Sequence, residues 1–544
     1  MSKVGDDLEQ FWNLCLLHDI TSRDQLLREA VRVVRTKRLI EKSSVNIEDL
    51  TSDPEQLFRW MKECVGDREL GHFPGDRELF YKLYHTGKNL DLLDYAHETL
   101  RNDRLTGTLL VQVGLLEQYV EMIKSRRYHS ILIAEAEKFL SGLHLMENLP
   151  EVERITLLTE NYVIGALLKT HFEAQSSVQV MQGSIYLPLP LNQEYDSILT
   201  VPHFGLKLDD REQHPLRETE GVAVNHLLPL LKDKGTLCAI LPAKLMFQSG
   251  EVGEWRKQIN SQAPVHSIHV MPDGVFRPYT SVKTYQVMFR KGSNDPVKIV
   301  QLRTEKDHFV REKEVEVPRE SFDVLEDWRV ELLLDEKKDI LQQFQTTTIP
   351  KVKLKEVADI FRGKSILKQD VKPGPIKVLN ISNLEDGEVQ LDQLDTIDEE
   401  ERKVKRYEIL PGDLVMTCRG TVTKLAVFPE YDDMVIASAN ILVIRFRKLI
   451  NSYYAKIFLE SPLGMALIQS YQRGTTVMNL NPSDIAELEL PLLAEEKQLE
   501  LMNRYKREKE IYMKSIQEAS NRWKQEKEQI YSELYKGQIA QRQQ

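Results

Sequence analysis

The residues with the clearest chemical potential follow apolar segments of the kind that form buried strands. In chain order they are Glu160, Ser184 and the run Val201, Pro202, His203 and Phe204. His203 has the chemistry of a general base and Phe204 that of a stacking ring. The simpler interpretations are a loop histidine without chemistry and, for Glu160, a surface or capping carboxylate.

A second group of candidates lies in turns rich in Gly, Ser and Thr between residues 349 and 493. Such loops can bring cations, hydroxyls and backbone amides to DNA phosphates and base edges. The DNA-binding candidates are Arg362, Lys364, Lys368, Arg419, Gly420, Thr421, Lys424, Arg473, Thr475 and Thr476. The segments 418–421 and 472–476 are the better ones, because each combines an arginine, a glycine turn and hydroxyl donors. The alternative for any single cation is an ordinary surface charge.

The composition limits the classes of protein to consider. The 544 residues suffice for about three domains, and the net charge of -11 restricts DNA binding to a local basic surface. The four cysteines lie far apart without a C-x-x-C pair, so we expect neither a disulfide framework nor a metal site. The acidic amino terminus and the lack of a long apolar run predict a cytoplasmic protein.

The hydropathy pattern divides the chain into five parts. Helical periodicity predicts a helical amino-terminal domain over 1–125, and short apolar strands alternating with helices predict a Rossmann-like, mainly parallel sheet over 126–301. The charged segment 302–348 is predicted to be a linker, and 349–493 a separate α+β domain. Residues 494–544 have apolar or aromatic side chains at spacings of three to four, which predicts a long coiled-coil helix. The fold class is therefore mixed α/β and α+β, multidomain.

Two long segments carry a family resemblance. The segments LPAKLMFQSGEVGEWRKQI and MPDGVFRPYTSVKTYQVMFRK, with Pro242, Arg256 and Gly274 among their marker residues, resemble the adenine-N6 methyltransferase subunit of type I restriction-modification systems. LPGDLVMTCRGTVTKLAVF, and RGTTVMNLNPSDIAELELPLLAEEKQLEL leading into the helix, resemble one target-recognition domain of a type I specificity subunit with its spacer helix.

The first resemblance implies S-adenosylmethionine as cofactor and a flipped adenine as substrate, but the motif residues depart from the family. Glu137 and Phe139 stand where glycines are expected, and of the upstream cofactor motif only Gly107 is kept. Ser184 replaces an adenine-binding aspartate, and Val201 replaces the asparagine that holds the target base, whereas Glu160 matches the ribose-binding acid. We therefore predict a pseudo-methyltransferase with no catalytic residues and no cofactor.

The leading functional hypothesis is a non-catalytic subunit that binds double-stranded DNA sequence-specifically and directs a partner: an active methyltransferase, a nuclease or a translocase. The final helix would join two copies or bind a partner's helix; the alternative is a helix folded back on its own methyltransferase-like domain. The competing hypotheses are a divergent S-adenosylmethionine-dependent adenine-N6 methyltransferase, active with a partner, and an assembly protein that no longer contacts DNA. The sequence has neither a nuclease motif nor a G-x-x-x-x-G-K-[ST] loop.

Overall fold

The chain forms two compact units, Met1–Asp335 and Glu336–Gln544, which are described separately. The computed structural model describes residues 3–43, 46–103, 107–189, 193–208, 216–280, 282–306, 308–325, 327–328, 330–334, 344, 347–420, 422–447, 449–471 and 478–541. Four of the predicted DNA-binding residues, Thr421, Arg473, Thr475 and Thr476, lie outside these ranges.

Helices form the amino-terminal part of the first unit, as predicted. They are α1 (Lys3–Leu16), α2 (Arg23–Lys42), α3 (Ile47–Ser52), α4 (Pro54–Cys64), α5 (Arg77–Gly87), α6 (Leu92–Asn102) and α7 (Val113–Arg126). Side-chain caps define several of their starts. Ser22 and Gln25 form a capping box at α2, and Asp91 accepts hydrogen bonds from the backbone amides of Leu93 and Asp94 at α6.

A nine-stranded sheet follows these helices. Its strands are β1 (Ser130–Ala134), β2 (Arg154–Thr159), β3 (Val178–Gln182), β4 (Tyr195–Thr200), β5 (Leu231–Pro242), β6 (Val265–Val270), β7 (Thr284–Arg290), β8 (Val297–Glu305) and β9 (His308–Val317). The strand order is β3-β2-β1-β4-β5-β7-β6-β8-β9. Pairing is parallel from β3 across to β5, and β7 is antiparallel to both β5 and β6. This order confirms the predicted Rossmann-like sheet and puts its topological switch point between β1 and β4.

The remaining helices of this unit follow or connect the strands. They are α8 (Tyr162–His171), α9 (Thr219–Leu227), α10 (Ala243–Phe247), α11 (Glu251–Gln262), α12 (Arg319–Asp323) and α13 (Glu331–Leu334), with 3₁₀ helices at Ala136–Asn148 and Leu228–Leu230. One hydrophobic core includes side chains from α1, α2, α5, α6 and α7 together with side chains from the sheet. The amino-terminal helices and the sheet therefore share a core instead of forming separate bodies.

The segment 302–348, predicted to be a linker, begins differently in the structure. Residues 302–305 and 308–317 belong to the sheet, because β8 continues to Glu305 and β9 pairs with it antiparallel. Most side chains of β9 are exposed, so this edge hairpin is charged on its solvent face. That charge obscured the strand pattern in the sequence.

The second unit is an α+β domain, as predicted. Its strands are β10 (Lys351–Lys353), β11 (Ala358–Arg362), β12 (Val371–Leu379), β13 (Leu384–Glu385), β14 (Glu388–Val389), β15 (Asp395–Ile397), β16 (Leu414–Thr417), β17 (Arg419–Gly420), β18 (Leu425–Val427), β19 (Val435–Ala437), β20 (Ile441–Phe446), β21 (Met478–Asn479) and β22 (Glu489–Pro491). Its helices are α14 (Leu354–Val357), α15 (Glu401–Val404), α16 (Ser452–Glu460), α17 (Pro462–Ser470), α18 (Pro482–Ile485) and α19 (Glu495–Gln541), with short 3₁₀ helices at Lys368–Asp370, Ile381–Asn383 and Lys405–Tyr407. A four-stranded sheet, β11-β20-β16-β18, lies at its centre.

The long helix α19 has two differently packed parts. Near its start, Gln498 Nε2 donates to the carbonyl of Leu449 at 2.8 Å, and Tyr505 donates to Glu460 at 3.3 Å. From Ile511 to Leu534 its large apolar side chains are exposed, including Trp523, which is 61% exposed. Of the helices in the described part of the chain, none has the length and apolarity needed to cross a membrane.

Candidate functional site

The turn after β1, at the switch point of the sheet, contains an unusual backbone residue. Glu135 adopts φ +56° and ψ +52°, the left-handed conformation that glycine favours. Its side chain is buried, with the residue only 2% exposed. The family resemblance assigned the replaced glycines to Glu137 and Phe139, whereas the left-handed position of this turn is Glu135. The turn thus contains a buried carboxylate at a position whose backbone conformation favours glycine.

Lys138 balances this carboxylate. Its ammonium donates to Glu135 Oε2 at 2.9 Å and to the carbonyl of Val201 at 2.5 Å, and both charged side chains are 2% exposed. Burial raises the pKa of Glu135, and the Lys138 charge opposes that rise. The buried Glu135–Lys138 pair therefore links the turn after β1 to Val201, the residue after β4.

Two aromatic side chains cover the Glu135 carboxylate. The Tyr186 hydroxyl donates to Glu135 Oε1 at 3.1 Å and accepts from the backbone amide of His203 at 2.7 Å. The rings of Tyr186 and His203 stack with their centroids 5.6 Å apart. Partial burial and the nearby Lys138 ammonium lower the pKa of His203 to about 4. His203 is therefore neutral near pH 7 and a weak base, which favours its interpretation as a loop histidine.

The run Val201–Phe204 lies at the end of β4, as predicted. Val201 is fully buried in the hydrophobic core, and the ring of Phe204 meets that of Phe276 edge-on with centroids 5.7 Å apart. Thr219 donates its hydroxyl hydrogen to the carbonyl of His203 at 2.8 Å, which ties the loop to the start of α9. The isopropyl group of Val201 offers no hydrogen bond to a base amine.

Glu160 and Ser184 follow β2 and β3, so the structure brings both to the same edge of the sheet. Glu160 is exposed, and its charge acts on Glu135 by raising that residue's pKa. The Ser184 hydroxyl accepts from the backbone amide of Tyr186 at 3.2 Å and thereby shapes its own loop. Glu137 is partly buried, and burial raises its pKa from 4.5 to about 7.

The segment 107–112, which aligned with the upstream cofactor motif, passes beside this turn. The backbone amide of Val111 donates to the carbonyl of Lys138 at 2.8 Å, and the Ser141 hydroxyl donates to the carbonyl of Val111 at 3.0 Å. These bonds place Val111 against the turn that carries the Glu135–Lys138 pair. Residues 107–112 and the turn after β1, the two segments compared with cofactor motifs of the family, are therefore neighbours in the fold.

Of the two better DNA-binding segments in the second unit, 418–421 is described up to Gly420, whereas 472–476 lies outside the described residues. Arg419 pairs with Asn479 and Gly420 with Met478, joining β17 to β21. Gly420 has φ +130°, and open space surrounds the position of a missing Cβ. Arg419 is exposed. An exposed arginine beside an open glycine turn is accessible to a phosphate or a base edge.

The other predicted DNA-binding residues in the described part of the chain have varied surroundings. Lys368 is exposed, whereas Lys424 Nζ donates to the carbonyl of Leu384 at 2.7 Å. Lys364 forms an ion pair with Glu399. Arg362 donates from Nη2 to Cys418 Sγ at 3.1 Å, which ties the end of β11 to the residue between β16 and β17. Lys424, Lys364 and Arg362 are therefore engaged within the domain, and Arg419 and Lys368 are the more accessible cations.

Two segments of the chain match two different families of known proteins. Residues 173–358 match the family described as N-6 DNA Methylase, and residues 348–531 match the family described as Type I restriction modification DNA specificity domain. A doubly wound sheet with this switch-point edge, followed by an α+β domain and a long helix, thus defines a methyltransferase-like protein with a specificity domain. Residues 173–358 are thus similar to the N-6 DNA methylase family and residues 348–531 to the type I specificity-domain family, and each match covers less than half of the chain.

Individual relatives match shorter stretches. The chain is 32% identical over 107 residues to the Type I restriction enzyme EcoEI methylase subunit of Escherichia coli, covering 19% of this chain and 22% of that protein. It is 26% identical over 136 residues to the Type I restriction enzyme EcoBI specificity subunit of Escherichia coli, covering 25% of this chain and 28% of that protein. The chain therefore spans less than a third of the length of these relatives.

A similar fold occurs in the type I restriction-modification system methyltransferase subunit from Streptococcus thermophilus. The TM-score is 0.42 at 13% identity, over 57% of this chain and 90% of that one.

Sequence reasoning missed three residues of the first site: Glu135, Lys138 and Tyr186. The signal available for the first two was an acid and a base three residues apart, directly after a buried strand, a spacing that brings side chains together on a helical turn. Tyr186 follows Ser184 in a loop, and only the fold brings it over Glu135.

Proposed function

We propose that this chain is a sequence-specific DNA-binding subunit that transfers no methyl group itself and directs a partner effector to its target. DNA recognition resides in residues 349–493, and the methyltransferase-like part serves as a scaffold. The observation that carries the proposal is the buried Glu135–Lys138 pair at the switch-point edge, where a nucleotide-type cofactor would have to bind.

The residues at this edge do not fit S-adenosylmethionine. A glycine turn permits close approach of a cofactor to the backbone, but here the left-handed position carries the side chain of Glu135. The Glu135 carboxylate repels the cofactor's carboxylate, and Lys138 is already bound to Glu135 and to the Val201 carbonyl. Opening the site would break a buried ion pair, which costs about 3–5 kcal/mol when one partner is left alone.

The target-base position supports the same conclusion. Catalysis on a flipped adenine requires a hydrogen-bonding group for the base amine, and Val201 is apolar and fully buried. His203 does not supply a substitute base, because its pKa is lowered to about 4. Neither cofactor binding nor base orientation is therefore supported by the residues present.

We place DNA recognition on the β17–β21 surface, defined by Arg419 and Gly420. The exposed arginine and glycine turn are suited to backbone and base contacts. The exposed stripe of α19 is suited to pairing with a second helix, since Ile516, Trp523 and Ile530 repeat every seven residues. A homodimer joined in this way would recognise an inverted repeat.

The test combines site selection with a methyl-transfer assay on the purified chain. A pool of randomised duplexes is incubated with the protein and labelled S-adenosylmethionine; bound duplexes are sequenced and incorporated label is counted. We expect an enriched sequence without incorporated label. Incorporated label in the enriched sites contradicts the proposed lack of catalysis, and the absence of any enriched sequence favours an assembly protein.

The second candidate function is a divergent adenine-N6 methyltransferase that needs a partner to complete its site. The retained Glu160, exposed at the carboxyl end of β2, and the match to N-6 DNA methylases favour it. Val201→Asn distinguishes the two candidates. We expect no methyl transfer from this variant, because the cofactor position is also altered, whereas activity in the variant supports the enzyme.

A further inference from the structure

Two histidines and three carboxylates meet on the first unit, away from the switch-point edge. They are Asp91 and Asp94 at the start of α6, His144 and Glu147 on the 3₁₀ helix Ala136–Asn148, and His171 at the end of α8. This His144 cluster joins three elements that are far apart in the sequence. The cysteine pattern gave no reason to expect it.

The donor atoms of the His144 cluster converge. One ligand atom each from Asp91, His144 and His171 lie within 4.8 Å of one another. His144 Nε2 is 3.5 Å from Asp91 Oδ1 and 3.6 Å from Asp94 Oδ1. In a tetrahedral zinc site with bonds of about 2.0–2.1 Å, ligand atoms are roughly 3.3 Å apart. The His144–Asp91 edge is thus close to the required length, and the half-exposed His144 ring has room to adjust its distance to His171.

Glu147 supplies the supporting carboxylate that metal-binding histidines usually have. Its Oε1 lies 2.9 Å from His171 Nε2 and 3.5 Å from His144 Nδ1. Such a contact fixes the orientation of an imidazole ring and the nitrogen that it presents to a metal.

The charges also favour a dication. Three carboxylates surround two imidazoles, so the cluster is negative even when one histidine is protonated.

We propose that Asp91, His144 and His171 bind a divalent transition-metal ion, zinc being the best match to two imidazoles and a carboxylate, with Glu147 orienting the histidines. The bound ion would clamp α6, α8 and the 3₁₀ helix that begins directly after Glu135. It would thereby stabilise the turn that carries the Glu135–Lys138 pair without taking part in any reaction.

The test uses untagged full-length protein stripped of metal by a chelator. Zinc chloride is titrated calorimetrically, and Co²⁺ is added separately to record its visible absorption, which reports tetrahedral coordination. We expect one ion per chain with micromolar or tighter affinity. His171→Gln and His144→Gln should abolish the cobalt spectrum, and Glu147→Gln should weaken zinc binding by about 10–100-fold, the usual effect of losing a supporting carboxylate.

His72→Ala is the matched control, because His72 is also an exposed histidine beside a carboxylate, 3.2 Å from Asp67, in the same unit. It should leave the affinity unchanged. Circular dichroism of each variant verifies the fold, so a lost signal in a folded variant supports the site. Zinc binding that is not saturable at one ion per chain, or that survives in both folded histidine variants, overturns the proposal and identifies the cluster as ion pairs only.

Discussion

Replacing Lys138 by methionine is the sharpest structural test of the ion pair in the switch-point turn. The variant removes the ammonium and leaves the Glu135 carboxylate buried with only the Tyr186 hydroxyl and the neutral His203 beside it. Removing one partner of a buried pair costs about 3–5 kcal/mol. We expect the free energy of unfolding of the first unit to fall by that amount at pH 8.

The pH dependence of this loss identifies its cause. Without Lys138, the folded-state pKa of Glu135 rises further above its unfolded value, which is near 4.5. A carboxyl group with a raised folded pKa takes up a proton in the folded state first, so stability falls as the pH rises above the unfolded pKa. The K138M variant should therefore be destabilised less at pH 5 than at pH 8.

The assay is urea unfolding followed by tryptophan fluorescence. Trp12, Trp60, Trp255 and Trp328 report on the first unit, and the fifth tryptophan, Trp523, is exposed on α19. The double variant E135Q/K138M removes both charges and should recover most of the loss. Lys169→Met, at an exposed lysine of α8, should have little effect. A K138M protein as stable as the parent at pH 8, or one that E135Q does not rescue, refutes the reasoning.

Three further predictions concern other parts of the chain. Arg419→Ala should weaken DNA binding: loss of a phosphate contact lowers the salt slope by about 0.9, and loss of a base contact costs about 1–3 kcal/mol at one position. Fluorescence anisotropy at several salt concentrations measures both, and Arg402→Ala, at an 82% exposed side chain paired with an acid, should change neither. Trp523→Lys should lower self-association in analytical ultracentrifugation, whereas Glu518→Lys on the same helix should not; equal effects would exclude the stripe as the pairing surface. Glu137→Gln removes a carboxyl group whose pKa is raised from 4.5 to about 7, and which therefore lowers the stability of the parent as the pH rises. The free energy of unfolding of the variant, relative to the parent, should increase by up to about 3 kcal/mol between pH 4.5 and 7 and stay constant above pH 7. A difference that does not change with pH contradicts this prediction.

The sequence predicted the architecture well where periodicity was strong. The apolar segments 130–134, 154–159 and 195–200 form the strands β1, β2 and β4, and the final helix extends over Glu495–Gln541. The hairpin β8–β9 was missed because its solvent face is charged and its alternation is therefore incomplete. Periodicity detects a buried face and is less informative at a sheet edge.

The candidate sites depended more on the fold. Glu160, Ser184 and Val201 follow three strands of one sheet, so their shared edge could be predicted from the chain order alone. The hydrogen bond from Lys138 to the Val201 carbonyl joins residues 63 positions apart, and its formation depends on the pairing of β1 with β4. The His144 cluster likewise depends on the packing of α6, α8 and a 3₁₀ helix, which no local pattern specifies.

The most direct test of the central claim is calorimetric titration of S-adenosylmethionine into the purified full-length chain, with and without its selected DNA site. The account predicts no saturable heat at cofactor concentrations up to the millimolar range in either case, because the Glu135–Lys138 pair occupies the turn after β1. Saturable one-to-one binding in the micromolar range contradicts it and makes the methyltransferase interpretation the correct one.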